Sequence, residues 1–153
     1  MGKKILFSGE IIIETAHRLE EIAQRRVFVP MKLSLIGFCI LNALDTRKAR
    51  TAGELQKVLR SKKSNIAQRL RILEERGFIE RKKSNEDGRQ RELFLTRKGK
   101  KKVEDVKGHF KKARISLEKH FSQEELRHEE QFFQKLNAFL DDQEKSLEIL
   151  FKR

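Results

Sequence analysis

Apolar positions recur at helical spacing along most of the chain. Between Ser8 and Phe28, the residues Ile12, Ala16, Leu19 and Ala23 fall at steps of four, three and four, one face of an amphipathic helix with Ser8 as its cap. Pro30 suits the first turn of a second helix, where a missing N–H costs nothing. That helix runs through Leu33, Ile36, Ile40, Leu41 and Leu44 and is apolar on most sides, a pattern that predicts burial. After a polar break from Asp45 to Arg50, Thr51 with Glu54 three residues on reads as a capping box. It opens a short third helix with an apolar face of Leu55, Val58 and Leu59. Arg60 and Ser61 connect it to a fourth helix, with Ser61 as N-cap and Ile66, Leu70 and Leu73 turned inward. Gly77 ends that helix as a left-handed stop.

The period then changes. Phe78 and Ile79 lead into Arg81-Lys82-Lys83, turn formers fill Ser84 to Gly88, and Leu93-Phe94-Leu95 follows, which predicts a β-hairpin. Thr96 caps a fifth helix carrying Val103, Val106, Phe110, Ala113, Leu117 and Phe121. Ser122, with Glu125 three residues on, caps a sixth, in which Leu126, Phe133, Leu140 and Leu147 lie seven apart and Phe132, Leu136, Phe139 and Leu150 widen the stripe. A stripe this long needs a partner helix. The predicted fold class is mainly α with a small β-hairpin wing: a winged helix-turn-helix plus a helical region.

Charge sharpens this picture. The chain carries +13, and the segment from Arg47 to Lys102 holds 20 Lys/Arg against 7 Asp/Glu, which is also +13. The remainder is therefore neutral. General Lys/Glu enrichment would not concentrate the excess on the helix-turn-helix and hairpin, whereas a nucleic-acid footprint would. The fourth helix is expected to enter the major groove, which accommodates one helix. Its candidate contacts are Ser61, Lys62, Lys63, Ser64, Asn65, Gln68 and Arg69. Asn and Gln pair bidentately with adenine and Arg with guanine, while Lys62 and Lys63 suit phosphates. On the hairpin, Arg81, Lys82, Lys83, Arg89 and Arg91 surround the turn, where an arginine suits a narrow minor groove.

Residues Leu33 to Gly99 resemble the MarR family of bacterial and archaeal regulators. The matching runs are Thr51-Ala52-Gly53-Glu54-Leu55, Ser64-Asn65-Ile66-Ala67-Gln68-Arg69-Leu70, Leu73-Glu74-Glu75-Arg76-Gly77-Phe78-Ile79-Glu80-Arg81, Asp87-Gly88-Arg89 and Leu95-Thr96-Arg97-Lys98-Gly99. The resemblance implies that Asp87 orients groups of the wing and that Arg89 is the tip arginine that touches DNA. It implies a helical dimerisation region, with residues 1–30 as an N-terminal dimerisation helix, 31–97 as the winged DNA-binding domain and 98–153 as C-terminal dimerisation helices. PadR-type regulators share the winged domain but normally start with it, and the helix before Pro30 argues against them. The expected function is a homodimeric repressor that binds double-stranded DNA at a pseudo-palindromic operator, open to a small-molecule effector. The alternatives are a non-specific architectural DNA-binding protein and a helical protein-interaction module. The chain departs from the family in having no Tyr and no Trp, so Phe28 and Phe38 are the candidates to stack on an aromatic effector.

Other chemistry is sparse. Cys39 is the single cysteine, which leaves no disulfide framework or cysteine-based zinc site, and it reads as a small apolar residue rather than a thiol sensor. His17 and Glu21 lie at helical spacing with His109 as a third group, yet scattered histidines read as surface residues and no metal or cofactor is expected. No nucleophile motif or Gly-rich phosphate loop is present, so no enzyme activity is expected. With no signal peptide pattern and no apolar run of about 18 residues, the expected location is cytoplasmic, away from membranes.

Overall fold

Local capping chemistry sets most of the helix boundaries. The computed structural model describes residues 9–83 and 91–151, with side chains through residue 144. The element order is α1 (Gly9–Ala23), a π-helical turn (Gln24–Phe28), α2 (Leu35–Asp45), α3 (Ala52–Val58), α4 (Lys63–Glu75), β1 (Ile79–Lys83), β2 (Arg91–Leu95), α5 (Arg97–Glu118) and α6 (Gln123–Phe151). The Thr51–Glu54 capping box is present in both directions, the Thr51 hydroxyl accepting from the Glu54 N–H and the Glu54 carboxylate accepting from the Thr51 N–H. Ser122 and Glu125 repeat the arrangement before α6.

Two expected caps fall elsewhere. Pro30 does not open α2: it lies in a turn, Leu33 precedes the helix, and Ser34 caps it by accepting from the Gly37 N–H at 3.1 Å. Ser61 does not cap α4 either. Arg60 adopts a left-handed φ of 47°, which delays the helix by one residue, so Lys62 is the N-cap and no side chain caps it. The proposed cap of α1, Ser8, lies outside the described residues.

Four helix ends share one stop. The N–H groups of Arg47 and Lys48 bond the carbonyls of Leu44 and Ala43, those of Arg60 and Ser61 bond Lys57 and Gln56, and those of Gly77 and Phe78 bond Glu74 and Leu73. This is the Schellman pattern, with a left-handed residue just past the helix. The π-helical turn ends likewise at Lys32. Only the stop after α4 uses glycine. Lys32, Arg47 and Arg60 take positive φ, at a conformational cost of about 1–2 kcal/mol each, offset in part by placing a cation at a helix C-terminus.

The core gathers side chains from Phe28 to Val106: Phe28 itself, Leu33, Ile40, Leu41 and Leu44 from α2 and its entry, Leu55 from α3, Ile66, Leu70 and Leu73 from α4, Phe78, Ile79 and Leu93 from the hairpin, and Val103 and Val106 from α5. Val58, expected on the inner face of α3, is exposed, and Leu59 is only partly buried; α3 is too short to turn more than Leu55 fully inward. The strands pair antiparallel, Ile79 opposite Leu95 and Lys83 opposite Arg91. The Leu93 N–H also bonds the Arg50 carbonyl at 2.7 Å, tying the hairpin to the loop before α3.

The exit from the hairpin explains the Leu-Thr-x-x-Gly run. The Thr96 hydroxyl donates to the Gly77 carbonyl at 2.7 Å and accepts from the Gly99 N–H at 3.0 Å, so one side chain closes α4 and opens α5. Gly99 is required by contact, because a Cβ there would meet the Phe78 carbonyl oxygen at 2.1 Å.

The chain divides into two compact units, residues 1–109 and 110–153, with the division inside α5 because Val103 and Val106 belong to the first core. In the first unit α1 buries none of its residues. In the second, Ser122 joins the end of α5 to α6, and Phe110, Ile115, Leu117, Phe121, Phe132, Phe133, Phe139 and Leu140 are all exposed.

Candidate nucleic-acid interface

The fourth helix is built to show one face. Ile66, Leu70 and Leu73 are buried, while Lys62, Lys63, Ser64, Asn65 and Gln68 are exposed. At about 100° per residue, the line opposite Ile66 passes through Ser64, Gln68 and Arg71. Arg71 was absent from the candidates, although its spacing of seven from Ser64 was a readable signal. It is exposed and pairs with Glu75 at 3.0 Å along the same helix, a contact worth little. Arg69 lies on the flank of the buried stripe. It is half-buried, and its Nε is buried with no hydrogen-bond partner among the described residues.

At the start of α4 the chain leaves backbone N–H groups without a capping side chain, next to Lys62 and Lys63. Such an end attracts anions through its unpaired donors and helix dipole. Ser61 has a different task from the one expected. Its hydroxyl accepts from the Asn65 side-chain amide at 3.2 Å, which orients that amide on the helix surface.

The hairpin basic residues divide by partner. Arg81 grips Glu74 of α4 with two hydrogen bonds, Nε to Oε1 at 2.6 Å and Nη2 to Oε2 at 2.9 Å. The two side chains are 34% and 29% exposed, so this pair is partly shielded and braces the hairpin against α4. The hydrogen bond to Glu74 pushes the Arg81 guanidinium above its ordinary value. Lys82 pairs with Glu80 at 2.8 Å and lies 5.5 Å from the Phe94 ring centroid. Lys83 and Arg91 are exposed and directly opposite each other, a like-charge pair that is unfavourable without an anion between its members. Asp87 and Arg89 lie outside the described residues.

Sequence reasoning also missed a cation cluster behind the hairpin. Arg76, Lys98 and Lys102 surround the Phe78 ring at 4.8, 5.1 and 5.8 Å from its centroid. Lys98 donates to the Arg76 carbonyl at 2.8 Å, so the cluster also closes the end of α4.

The remaining candidates settle simply. Phe28 is fully buried and its ring lies 6.1 Å from that of half-buried Phe38; filling the core, Phe28 offers no face to a ligand. Cys39 is half-buried, and burial pushes its thiol up, away from the thiolate. Glu21 pairs with Arg25. Among the described residues no group of three His, Cys, Asp or Glu side chains could hold a metal ion, and no helix is long and apolar enough to cross a membrane.

Residues 33–90 match the MarR family. No curated protein matches the sequence. Solved structures share the fold across nearly the whole chain. A MarR family transcription regulator is 22% identical, with 89% of this chain and 91% of that one covered and a TM-score of 0.77. S. aureus MepR in a DNA complex is 20% identical, with 88% and 97% covered and a TM-score of 0.74. A mutant MarR from E. coli is 20% identical, with 86% and 97% covered and a TM-score of 0.69.

Proposed function

We propose, starting from the match of residues 33–90 to the MarR family, that this protein is a transcription regulator of that type that reads double-stranded DNA as a homodimer. The observation that carries the reading is α4: a helix fixed by three buried side chains, with Lys62, Lys63, Ser64, Asn65, Gln68 and Arg71 exposed in the stretch that holds the whole net charge. Lys62, Lys63 and the open helix start hold phosphates; Asn65, Gln68 and Arg71 reach base edges. Lys83 and Arg91 face the DNA backbone beside the wing, and Asp87 and Arg89 keep the roles that the family resemblance implies for them, the first orienting groups of the wing and the second touching DNA. Arg81 acts through Glu74, setting the wing relative to α4. The DNA complex of MepR, a protein of the same fold, supports DNA as the partner.

The exposed apolar side chains of α1 and of residues 110–144 support a dimer, since a soluble chain rarely leaves so many uncovered. In a symmetric pair, residues 1–30 and 98–153 serve as arms, and two winged domains meet a pseudo-palindrome about one DNA turn apart. The protein then acts as a cytoplasmic repressor, with no enzymatic step. A small-molecule effector shifts the separation of the two heads by binding one arrangement better than the other.

The test is competition binding at fixed salt between fragments selected from source DNA and random duplex. A preference of about a thousandfold or more is expected. Gln68→Ala and Arg71→Ala should erode the preference. Lys62→Ala and Lys63→Ala should weaken both duplexes equally and lower the salt slope by about one each. Equal affinity for random DNA would replace the regulator with an architectural protein.

A further inference from the structure

We propose that the three cations around the Phe78 ring form a binding site for a chain of phosphoryl groups, as in a nucleoside triphosphate or inorganic tripolyphosphate. Arg76 stands at the end of α4, and Lys98 and Lys102 lie one turn apart on α5. All three charges lie within 5.8 Å of one ring centroid. No two of them are therefore farther apart than about 11 Å, the sum of the two longer distances.

Like charges this close repel, since their separation is about one Debye length or less. None of the three has an ion-pair partner among the described residues. The carboxylates just before Arg76 are engaged elsewhere, Glu74 by Arg81 and Glu75 by Arg71. The end of α4 offsets roughly half a charge. Closing that helix end takes one cation, and Lys98 does so alone by donating to the Arg76 carbonyl at 2.8 Å. The other two charges are surplus to that task.

The cluster is also ordered in advance. Arg76 Nη1 donates to the Lys32 carbonyl, and Lys102 Nζ lies 3.5 Å from the Met31 carbonyl. Backbone oxygens thus hold three long side chains in place, and immobilising such side chains is a large cost of binding. Arginine has five N–H donors and lysine three. One on each residue is engaged, and the rest are open to oxygens of a ligand.

The Phe78 ring is 2% exposed, so it offers no face to a base or an apolar body. Recognition rests on charge and hydrogen bonds, which favours several negative charges in a short chain over a single carboxylate. Lys62 and Lys63 lie at the other end of α4, about 20 Å away along a helix of 13 residues. The cluster is therefore separate from the phosphates met by the helix start, and the site does not depend on DNA binding.

Calorimetric titration of the full-length protein with sodium tripolyphosphate, in magnesium-free buffer at fixed ionic strength, should show one saturable site per chain. The melting temperature should rise with it. Lys98→Gln and Lys102→Gln should each weaken binding about tenfold, the loss expected of a charged hydrogen bond. Lys101→Gln removes the same charge from the same stretch of α5 and should leave affinity within about twofold, because Lys101 makes no contact with the ring or those carbonyls. ATP and GTP should match tripolyphosphate, and sulfate should bind about tenfold more weakly. Absent saturation, equal losses in the Lys98, Lys101 and Lys102 variants, a clear preference for one base, or displacement by a stoichiometric duplex would each overturn the proposal; the last would assign the cluster to the DNA backbone.

Discussion

The stretch from Phe28 to Val106 and the helices on either side of it treat their apolar side chains in opposite ways. Between Phe28 and Val106, three helices, a hairpin and the start of a fourth helix converge on a closed core. In α1 the residues Ile11, Ile13, Leu19 and Ile22 remain 51–64% exposed, and Phe132, Phe133, Phe139 and Leu140 of α6 remain 40–58% exposed. Both regions are helical and amphipathic. The difference is that one pattern closes on itself within 80 residues and the other leaves its apolar side chains exposed among the described residues. The first should behave as a folding unit, and the second as an interface whose stability depends on concentration.

That contrast can be broken experimentally. Leu70→Ala removes a fully buried side chain and should cost about 2–5 kcal/mol in unfolding followed by circular dichroism, at any protein concentration. Phe133→Asp should leave the winged domain folded yet yield monomer by sedimentation and abolish the dependence of the melting temperature on concentration. A monomeric wild-type protein, or a Phe133 variant that still dimerises, would erase the distinction. Glu74→Gln should have a smaller effect. The Glu74–Arg81 pair is about one-third exposed, and after allowing for solvent screening the loss should be about 1 kcal/mol, with the wing less protected in hydrogen exchange.

The smallest expected effect is on acid sensitivity. Hydrogen bonds from the Ser122 backbone and hydroxyl lower the Glu125 pKa from its ordinary 4.5. A carboxylate depressed in the folded state contributes stability that is full above pH 4.5 and is lost as pH falls through the folded value. Glu125→Gln should therefore flatten a small decline in helicity below pH 4.5, and an unchanged acid profile would remove Glu125 from the account.

Legibility followed the range of the interaction. The Thr51, Thr96 and Ser122 caps are contacts within three or four residues, and each was readable from spacing alone. Leu70, Leu73, Val103 and Val106 were readable because one periodic stripe meets one core. Ser61 misled because the left-handed turn at Arg60 costs energy that local preference does not anticipate. Arg81 read as a free cation because its partner, Glu74, lies across a helix end and a strand. Phe28 read as a ligand platform because nothing local says that a residue at the end of a π-helical turn fills the centre of the core. Arg71 was readable from its spacing of seven from Ser64, and Asp87 and Arg89 remain sequence inferences.

The approach of the Phe78 carbonyl to Gly99, with the Thr96 hydroxyl bonded on either side, has a mechanical consequence. Backbone meets backbone there, and no side chain can rotate to let one element slip past the other. The hairpin root and the opening turns of α5 therefore turn as one lever. A tilt of the first turn of α5 should therefore carry the hairpin root with it.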